Sequence, residues 1–168
     1  VLEQAMPYTS WSSMGADCAD LNNDGLLDLF VADMAATTHY KSKVTMGDMG
    51  DRRWFLENAW PLQIMRNNLF LNTGTPRFME TAFLCGLAGT DWSWAVKLAD
   101  LDNDSRVDVY VTNGASRMIT DADITVTPQM LVGKTEWELW KEQPTMKEVN
   151  LAFRNKGNLQ FEQSAKPW

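Results

Sequence analysis

The sequence predicts an all-β fold with helical insertions, built from two four-stranded units, and three observations lead to this prediction. An Asp/Asn-rich loop at 20–28 recurs 80 residues later, and residues 11–33 align with residues 91–113 at that offset without a gap. A hairpin signal, Asn-x-Gly at 72–74, recurs 83 residues later. Each loop also runs into a segment rich in β-branched and aromatic residues, which is typical of strands.

Each unit is predicted to contain four short strands. The Asp/Asn-rich loop joins the first strand to the second, and the Asn-x-Gly turn joins the third to the fourth. Because the same β unit occurs twice, the repeat favours a propeller or a similar array. The predicted strands are 12–19, 26–32, 68–72 and 77–82 in the first unit, and 92–99, 106–112, 150–154 and 159–164 in the second.

A long insertion separates the second and third strands of each unit. Residues 1–89 are predicted to form the first unit with an insertion at 34–66, and residues 90–168 the second unit with an insertion at 115–149. Insertions of this length usually carry function or structure of their own.

Both insertions are expected to be partly helical. Residues 51–65 have a local helical pattern that Pro61 breaks or kinks. In the second insertion a short helix is predicted at 135–143, with Thr135 or Lys134 near its start and with Pro144 just past its end.

The repeated loop has the spacing of a calcium site. Oxygen-bearing side chains occupy loop positions 1, 3, 5 and 9, and position 7 can add its backbone carbonyl, so the loop offers the oxygen ligands that this hard cation prefers. Because the pattern occurs twice, we favour two calcium sites over two ordinary Asp/Asn turns. The predicted ligands are Asp20, Asn22, Asp24, the Leu26 carbonyl and Asp28 in the first loop, and Asp100, Asp102, Asp104, the Arg106 carbonyl and Asp108 in the second.

The two loops differ at two positions. Gly25 fits the sharp turn that such a loop needs at position 6, and Ser105 replaces it in the second copy. A non-glycine residue in a left-handed conformation costs on the order of 1 kcal/mol, so we expect the second loop to be strained but intact. The additional acid, Asp102 in place of Asn22, is expected to compensate.

A helix–loop–helix calcium sensor is excluded on two grounds. Its loop needs an acidic residue at position 12, where this chain has Val31 and Val111. A helix must also follow the loop, whereas the segments that follow both loops have the pattern of strands.

Charge and composition exclude several other classes of protein. The chain has 168 residues and a formal net charge of −7, and the two loops hold seven of its 22 acidic residues. Two calcium ions would bring the net charge to −3, and the basic footprint of a nucleic-acid-binding protein is absent. We expect no signal peptide and no membrane span, since these residues contain no leader pattern and no apolar run of about 18 residues. The sequence also lacks a phosphate loop, a nucleophile elbow, a zinc spacing and a dinucleotide fingerprint, so we expect no enzymatic activity.

Three further features leave alternatives open. Eight tryptophans could provide an aromatic platform for a glycan or a peptide, although packing of the insertions onto the strands is favoured. Cys18 and Cys85 could form a disulfide or be free, buried thiols. His39, the single histidine, is expected to have a surface or hydrogen-bonding role.

Two stretches of the first unit resemble an FG-GAP/VCBS repeat, the integrin-α-type propeller blade with a calcium loop. They are Ala-Asp-Leu-Asn-Asn-Asp-Gly-Leu-Leu-Asp-Leu-Phe-Val-Ala at 19–32 and Asn-Leu-Phe-Leu-Asn-Thr-Gly at 68–74. The segments His-Tyr-Lys at 39–41, Arg-Arg-Trp-Phe-Leu-Glu-Asn at 52–58 and Asp-Trp-Ser-Trp-Ala at 91–95 are more narrowly similar to the bacterial relatives of cartilage acidic protein, of the ASPIC/UnbV type.

The resemblance implies a fold and a function. It implies two four-stranded blades of a larger propeller of about seven, with the remaining blades supplied by another part of the protein or by a partner. It also implies an extracellular, cell-surface or periplasmic module for protein recognition or assembly, in which calcium is structural. The alternative is a glycan-binding or glycan-processing protein that uses the tryptophan-bearing insertions.

Overall fold

Two four-stranded antiparallel sheets make up most of the computed structural model, which describes residues 2–45, 53–117 and 127–165. Each end of these eight strands lies within two residues of the end that the repeat predicts. The first sheet contains β2 (Ser13–Ala19), β3 (Asp28–Asp33), β5 (Asn68–Asn72) and β6 (Phe78–Glu80), and the second contains β7 (Ser93–Ala99), β8 (Asp108–Asn113), β9 (Leu151–Asn155) and β10 (Phe161–Gln163).

Each sheet is a simple meander, because its strands lie side by side in chain order. The two sheets also share an irregularity. The register of β2 on β3 shifts between Ser13 and Gly15, and the register of β7 on β8 shifts between Ser93 and Ala95. The repeat therefore extends to a bulge at the start of the first strand, where extra residues bend and twist a strand. Neither sheet closes on itself within the described residues.

One hydrophobic core lies between the two sheets. Strand β2 contacts β7, and buried side chains from both sheets belong to a single cluster, in which Leu21, Ala82, Cys85 and Leu87 from the connections also take part. Because each sheet buries one apolar face against the other, the two repeats are stabilised together rather than separately. The strand residues of the cluster are Phe30, Ala32, Leu69, Leu71, Leu98, Val109, Val111, Leu151 and Phe153.

Gly15 allows the close approach of the two inner strands. A Cβ atom at this position would lie 2.8 Å from the carbonyl oxygen of Trp94 and 2.9 Å from the Cα of Ala95. Both neighbours are backbone atoms of β7, so a side chain could be accommodated only if the strands moved apart.

The insertions are helical in part, as expected. In the first, α2 (His39–Thr45) and α3 (Arg53–Asn58) are helices, but residues beyond Pro61 form a strand, β4 (Leu62–Ile64), that pairs in parallel with β1 (Tyr8–Ser10). The expected helix over 51–65 is therefore wrong beyond residue 58, because Pro61 ends the helical pattern and the next residues complete a sheet with the N-terminal segment. Its first two residues lie outside the described residues.

A helix is present in the second insertion where one was expected, but it ends three residues before the predicted end at 143. Helix α4 spans Glu136–Trp140, and Thr135 is its N-cap residue in a capping box with Glu138. A 3-10 helix at Pro128–Leu131 precedes it, and helix α1 (Leu2–Ala5) begins the chain. Residues 118–126 of this insertion lie outside the described residues.

Candidate metal centre

The position-9 aspartates are the buried anchors of both loops. Asp28 and Asp108 have no exposed surface, and each begins the second strand of its sheet. The carboxylate of Asp28 accepts hydrogen bonds from the amides of Leu21 and Asn72, both at 2.9 Å. The carboxylate of Asp28, at the end of the loop, thus bonds both to the start of the loop at Leu21 and to the third strand at Asn72.

Asp108 repeats this arrangement in the second sheet. Its carboxylate accepts from the amide of Leu101 at 3.0 Å and from the amide of Asn155 at 2.8 Å. Burial raises the pKa of Asp28 and of Asp108, although these backbone hydrogen bonds oppose the rise. A nearby cation would favour the ionised form of both groups.

The first position of each loop holds the turn. Asp20 accepts hydrogen bonds from the amides of Asp24 and Gly25, at 3.0 and 2.8 Å. Asp100 accepts from the amides of Asp104 and Ser105, at 3.1 and 2.9 Å. The backbone thus wraps around the position-1 carboxylate in the same way in both copies.

Three carboxylates meet in the second loop. Single oxygen atoms of Asp100, Asp102 and Asp108 all lie within 4.8 Å of one another. Two ligands on opposite sides of one calcium ion are about 5 Å apart, since each Ca–O distance is about 2.3–2.6 Å. The spacing of the three oxygens therefore fits coordination of a single hard cation.

Asp102 adds a second observation at this site. One of its oxygens, Oδ1, is buried and has no hydrogen-bond partner, whereas Oδ2 pairs with Arg154. A buried carboxylate oxygen without a partner is costly, and a bound cation would satisfy it. Asp104, by contrast, pairs with the guanidinium of Arg106 and accepts from the Arg106 amide at 3.0 Å.

The first loop does not bring three acids together in this way. Among the described residues, the trio in the second loop is the only group of three or more His, Cys, Asp or Glu side chains that is close enough to hold a metal. In the first loop Asn22 stands where the second has Asp102, and its amide donates to Asp24 at 2.8 Å. This bond turns two of the predicted ligands toward each other.

Two arginines distinguish the second loop and were not assigned a side-chain role from the sequence. Arg106 also donates from Nε to the carbonyl of Asn155 at 2.9 Å, and Arg154 lies on the neighbouring strand β9. The corresponding residues of the first unit are Leu26 and Leu71. Their pairing with the acids leaves a charge of −2 at the second loop, which equals the charge of one divalent cation.

Left-handed backbone is confirmed at position 6 of both loops. Gly25 has φ of 86° and Ser105 has φ of 67°, so the serine adopts the conformation that glycine favours. Asn23 and Asn103, at position 4, are also left-handed with φ of 60° and 59°. Asparagine tolerates this region better than most residues, so its recurrence at position 4 was a signal available in the sequence.

The predicted packing of the tryptophans is wrong for three of them. Trp54 and Trp60 are each 74% exposed, and Trp137 is 59% exposed. No described residue of either insertion belongs to the core cluster between the sheets. Cys18 and Cys85 are free thiols, the first exposed and the second buried, so the disulfide alternative is excluded and only Cys85 is buried.

Comparison with protein-family models, with curated proteins and with solved structures gave no match to the chain. The resemblance to FG-GAP/VCBS repeats therefore stays a prediction from the residues quoted above. Within the ranges that the structure describes, none of the helices combines the length and the apolar character needed to cross a membrane.

Proposed function

We propose that the loop at 100–108 binds Ca²⁺ as a structural ion, and that the chain is a calcium-stabilised β-repeat module for assembly or recognition. The observation that carries the proposal is the convergence of Asp100, Asp102 and Asp108, with a buried, unpartnered oxygen on Asp102. Calcium is the ion that this donor set suits, because it prefers several carboxylate and carbonyl oxygens to nitrogen or sulfur.

The ion would act on stability rather than on a reaction. Asp108 links the loop to β9 through the amide of Asn155, so an ion held by Asp108 would fix the loop against the sheet. An ion that binds only the folded chain stabilises it by about 2.7 kcal/mol at a concentration 100 times its Kd. Extracellular and periplasmic calcium would fill even a weak site, which is why we place the module there.

The first loop is proposed as a second, weaker calcium site. It has the same backbone hydrogen bonds around Asp20 and the same buried anchor, Asp28, but Asn22 replaces one acid. Fewer charged ligands lower the affinity of a calcium loop.

The test is a thermal melt with calcium and with excess chelator. Wild-type chain is compared with Asp102→Asn, which inserts the residue of the first loop, and with Glu162→Gln as a control that makes the same change in charge. Glu162 is an exposed residue of β10. We expect calcium to raise the Tm of the wild type and of the control, and to raise it much less in Asp102→Asn. No rise in the wild type at millimolar calcium would refute the proposal.

We further propose that the two sheets are blades of a larger propeller. The support is their repeated meander topology and the packing of one repeat on the next, with no further sheet on either side of the pair among the described residues. Small-angle scattering would test this part, since a closed ring of blades has a compact shape that two sheets alone lack.

The exposed tryptophans favour one alternative function, which is glycan binding by the insertions. Trp54 and Trp60 lie close in sequence and are both solvent-exposed, and exposed aromatic rings can stack on the apolar faces of sugars. Affinity electrophoresis in gels that contain polysaccharides, with Trp54→Ala as the comparison, tests this function. Unchanged mobility of the wild type in all of them would exclude it.

A further inference from the structure

The two sheets pack front to back. We call one side of each sheet its front face and the other its back face, so that equivalent repeat positions have the same name. The front face of the first sheet and the back face of the second meet in the shared core. The front face of the first sheet is Gly15, Asp17, Phe30, Ala32, Leu69 and Leu71, and the back face of the second is Val96, Leu98, Val109, Val111, Leu151 and Phe153.

The repeat then identifies the faces that stay open. At offsets of 80 and 83 residues, the covered front face of the first sheet is equivalent to the front face of the second, and the covered back face of the second is equivalent to the back face of the first. The back face of the first sheet is the repeat equivalent of the back face of the second sheet, which contacts the first sheet in the core. Most side chains of this back face of the first sheet are apolar. The open back face is Ala16, Cys18, Leu29, Val31, Asn68 and Phe70, and the open front face is Ala95, Lys97, Tyr110, Thr112, Ala152 and Arg154.

The open back face is exposed chiefly on its inner strand. Ala16 and Cys18 are exposed, and Leu29 and Val31 are half-buried. Phe70 is covered and is 2% exposed. Four apolar side chains of the two inner strands, β2 and β3, thus form a continuous strip. The rest of this face, on β5, is covered in part by β1, where Ser10 donates to the fully buried Asn68 at 2.7 Å.

A hydrogen bond across the internal junction has an unused counterpart at the open faces. Asn155 donates from its side-chain amide to Val107 O within its own sheet and to Leu21 O of the first sheet, at 3.0 and 2.9 Å. Its counterpart, Asn72, donates to Leu27 O at 3.3 Å and, among the described residues, to no second acceptor. The counterpart of Leu21 is Leu101, whose carbonyl lies at the other open end.

Charge at the junction is also complementary across the repeat. Asp17 of the front face accepts from Lys97 Nζ at 2.7 Å and from the amide of Leu98 at 3.0 Å. Residues 17 and 97 are counterparts, so a further junction of this kind would again place an aspartate beside a lysine. The position of Gly15 is taken by Ala95 on the open front face, so such a junction would be slightly wider than the internal one.

We propose that the open back face of the first sheet binds the open front face of a second copy of this chain, front to back as the two sheets bind within the chain. A contact between two different surfaces does not close on itself in a pair of molecules, so it produces rings or open chains of copies. The proposal deepens the assembly part of the proposed function and rests on it, but it does not require the calcium site.

Cys18 provides a position-specific test. Within the chain, residue 98 lies against Asp17, so at the new junction residue 18 of one copy would lie against residue 97 of the next. The variant Lys97→Cys removes a lysine that is 67% exposed, together with its ion pair to Asp17, whereas the hydrogen bond from the Leu98 amide to Asp17 is retained. Cys85 is buried and does not compete. The control is Lys141→Cys, which places a thiol on an exposed residue at the end of α4.

Both variants are oxidised mildly, separated on non-reducing gels and mapped by mass spectrometry, after melts confirm that they fold. For Lys97→Cys we expect dimers and longer chains linked between Cys18 and position 97, formed at least about tenfold faster than linked species of the control. Sedimentation equilibrium of the unmodified chain up to about 1 mM, which detects a Kd of that order, is expected to show association that Ala16→Lys weakens.

Three results would overturn the proposal. They are a chain that stays monomeric over that range, linkage of Lys97→Cys no faster than that of the control, and linkage chiefly between two Cys18 residues, which would indicate a symmetric back-to-back dimer. Repeating the oxidation in chelator separates the two proposals, because the junction does not need calcium. If Lys97→Cys is still linked in chelator but calcium does not raise the Tm of the wild type, the metal site is refuted and the junction is retained.

Discussion

Replacement of Asp33 by asparagine is expected to remove a pH-dependent loss of stability. Asp33 ends β3 and has no exposed surface. Its Oδ2 accepts from the amide of Ser12 at 2.9 Å, while Oδ1 is buried without a partner. Burial raises the pKa of Asp33 to about 6, although hydrogen bonds from the backbone of residues 11, 12 and 34 oppose the rise. The counterpart in the second sheet is Asn113, so the repeat itself shows that an asparagine fits this position.

The direction and size of the effect follow from the pKa. The folded chain binds the proton of Asp33 more tightly than the unfolded chain does, so the stabilisation is complete below about pH 4 and is lost as the pH rises to about 6. At about 1.4 kcal/mol for each pKa unit, a rise from 3.8 to about 6 corresponds to about 3 kcal/mol. The asparagine side chain of the variant would bury an amide donor at a cost of about 1–3 kcal/mol, but this cost is independent of pH.

Urea unfolding, followed by tryptophan fluorescence between pH 4 and pH 7 in chelator, measures the effect. The free energy of unfolding of Asp33→Asn minus that of the wild type is expected to increase by about 2–2.5 kcal/mol across this range, since at pH 4 the unfolded chain still binds part of this proton. The other carboxylates are common to both proteins and cancel in the difference. Asp17→Asn is the control of opposite sign, because the hydrogen bond from the Leu98 amide is the main cause that lowers the pKa of Asp17. A difference that does not change with pH would refute the reasoning.

Three further predictions concern single positions of the repeat. Ser105→Gly is expected to raise the free energy of unfolding by about 1 kcal/mol, because the left-handed backbone at this position no longer opposes a Cβ atom; a loss of stability in urea unfolding would contradict it. Gly15→Ala is expected to destabilise the chain by about 1–3 kcal/mol, since the added methyl group would press on the backbone of Trp94; unchanged stability would show that the strands separate at no cost. Asn22→Asp is expected to lower the Tm in chelator, because its bond to Asp24 is lost, and to increase the calcium-dependent rise in Tm; the opposite pair of shifts would exclude a metal at the first loop.

The strands and loops could be predicted because the sequence contains them twice. An offset of 80 residues through 11–33 fixes the first two strands of each sheet, and the Asn-x-Gly turns fix the last two. Local chemistry was also sufficient where one residue decides the backbone, as at Gly25 and at the N-cap Thr135. The parallel pairing of β1 with β4 was missed, because three-residue strands from distant parts of the chain have no periodic signal.

The difference between the two loops was only partly predictable. Asp102 was recognised as an additional acid, but its pairing with Arg154 depends on β9 folding back beside the loop. A sequence gives the spacing of ligands along one loop. Of the two neutralising arginines, Arg106 belongs to the loop, whereas Arg154 comes from a strand about 50 residues away. The exposure of Trp54 and Trp60 was not predictable for a similar reason, because burial depends on which distant segments pack on a ring and not on local sequence.

A metal at the second loop would influence the junction between the sheets as well as its own loop. Asn155 receives a hydrogen bond from Gly157 and gives its amide hydrogen to Asp108, and its side chain reaches Leu21 of the first sheet. The side chain of Asn23 likewise donates to the carbonyl of Ser105, at 3.3 Å. An ion held by Asp108 would therefore also fix Asn155, whose side chain contacts the first loop at Leu21. A structural calcium at the second loop would in this way stabilise the junction between the two repeats.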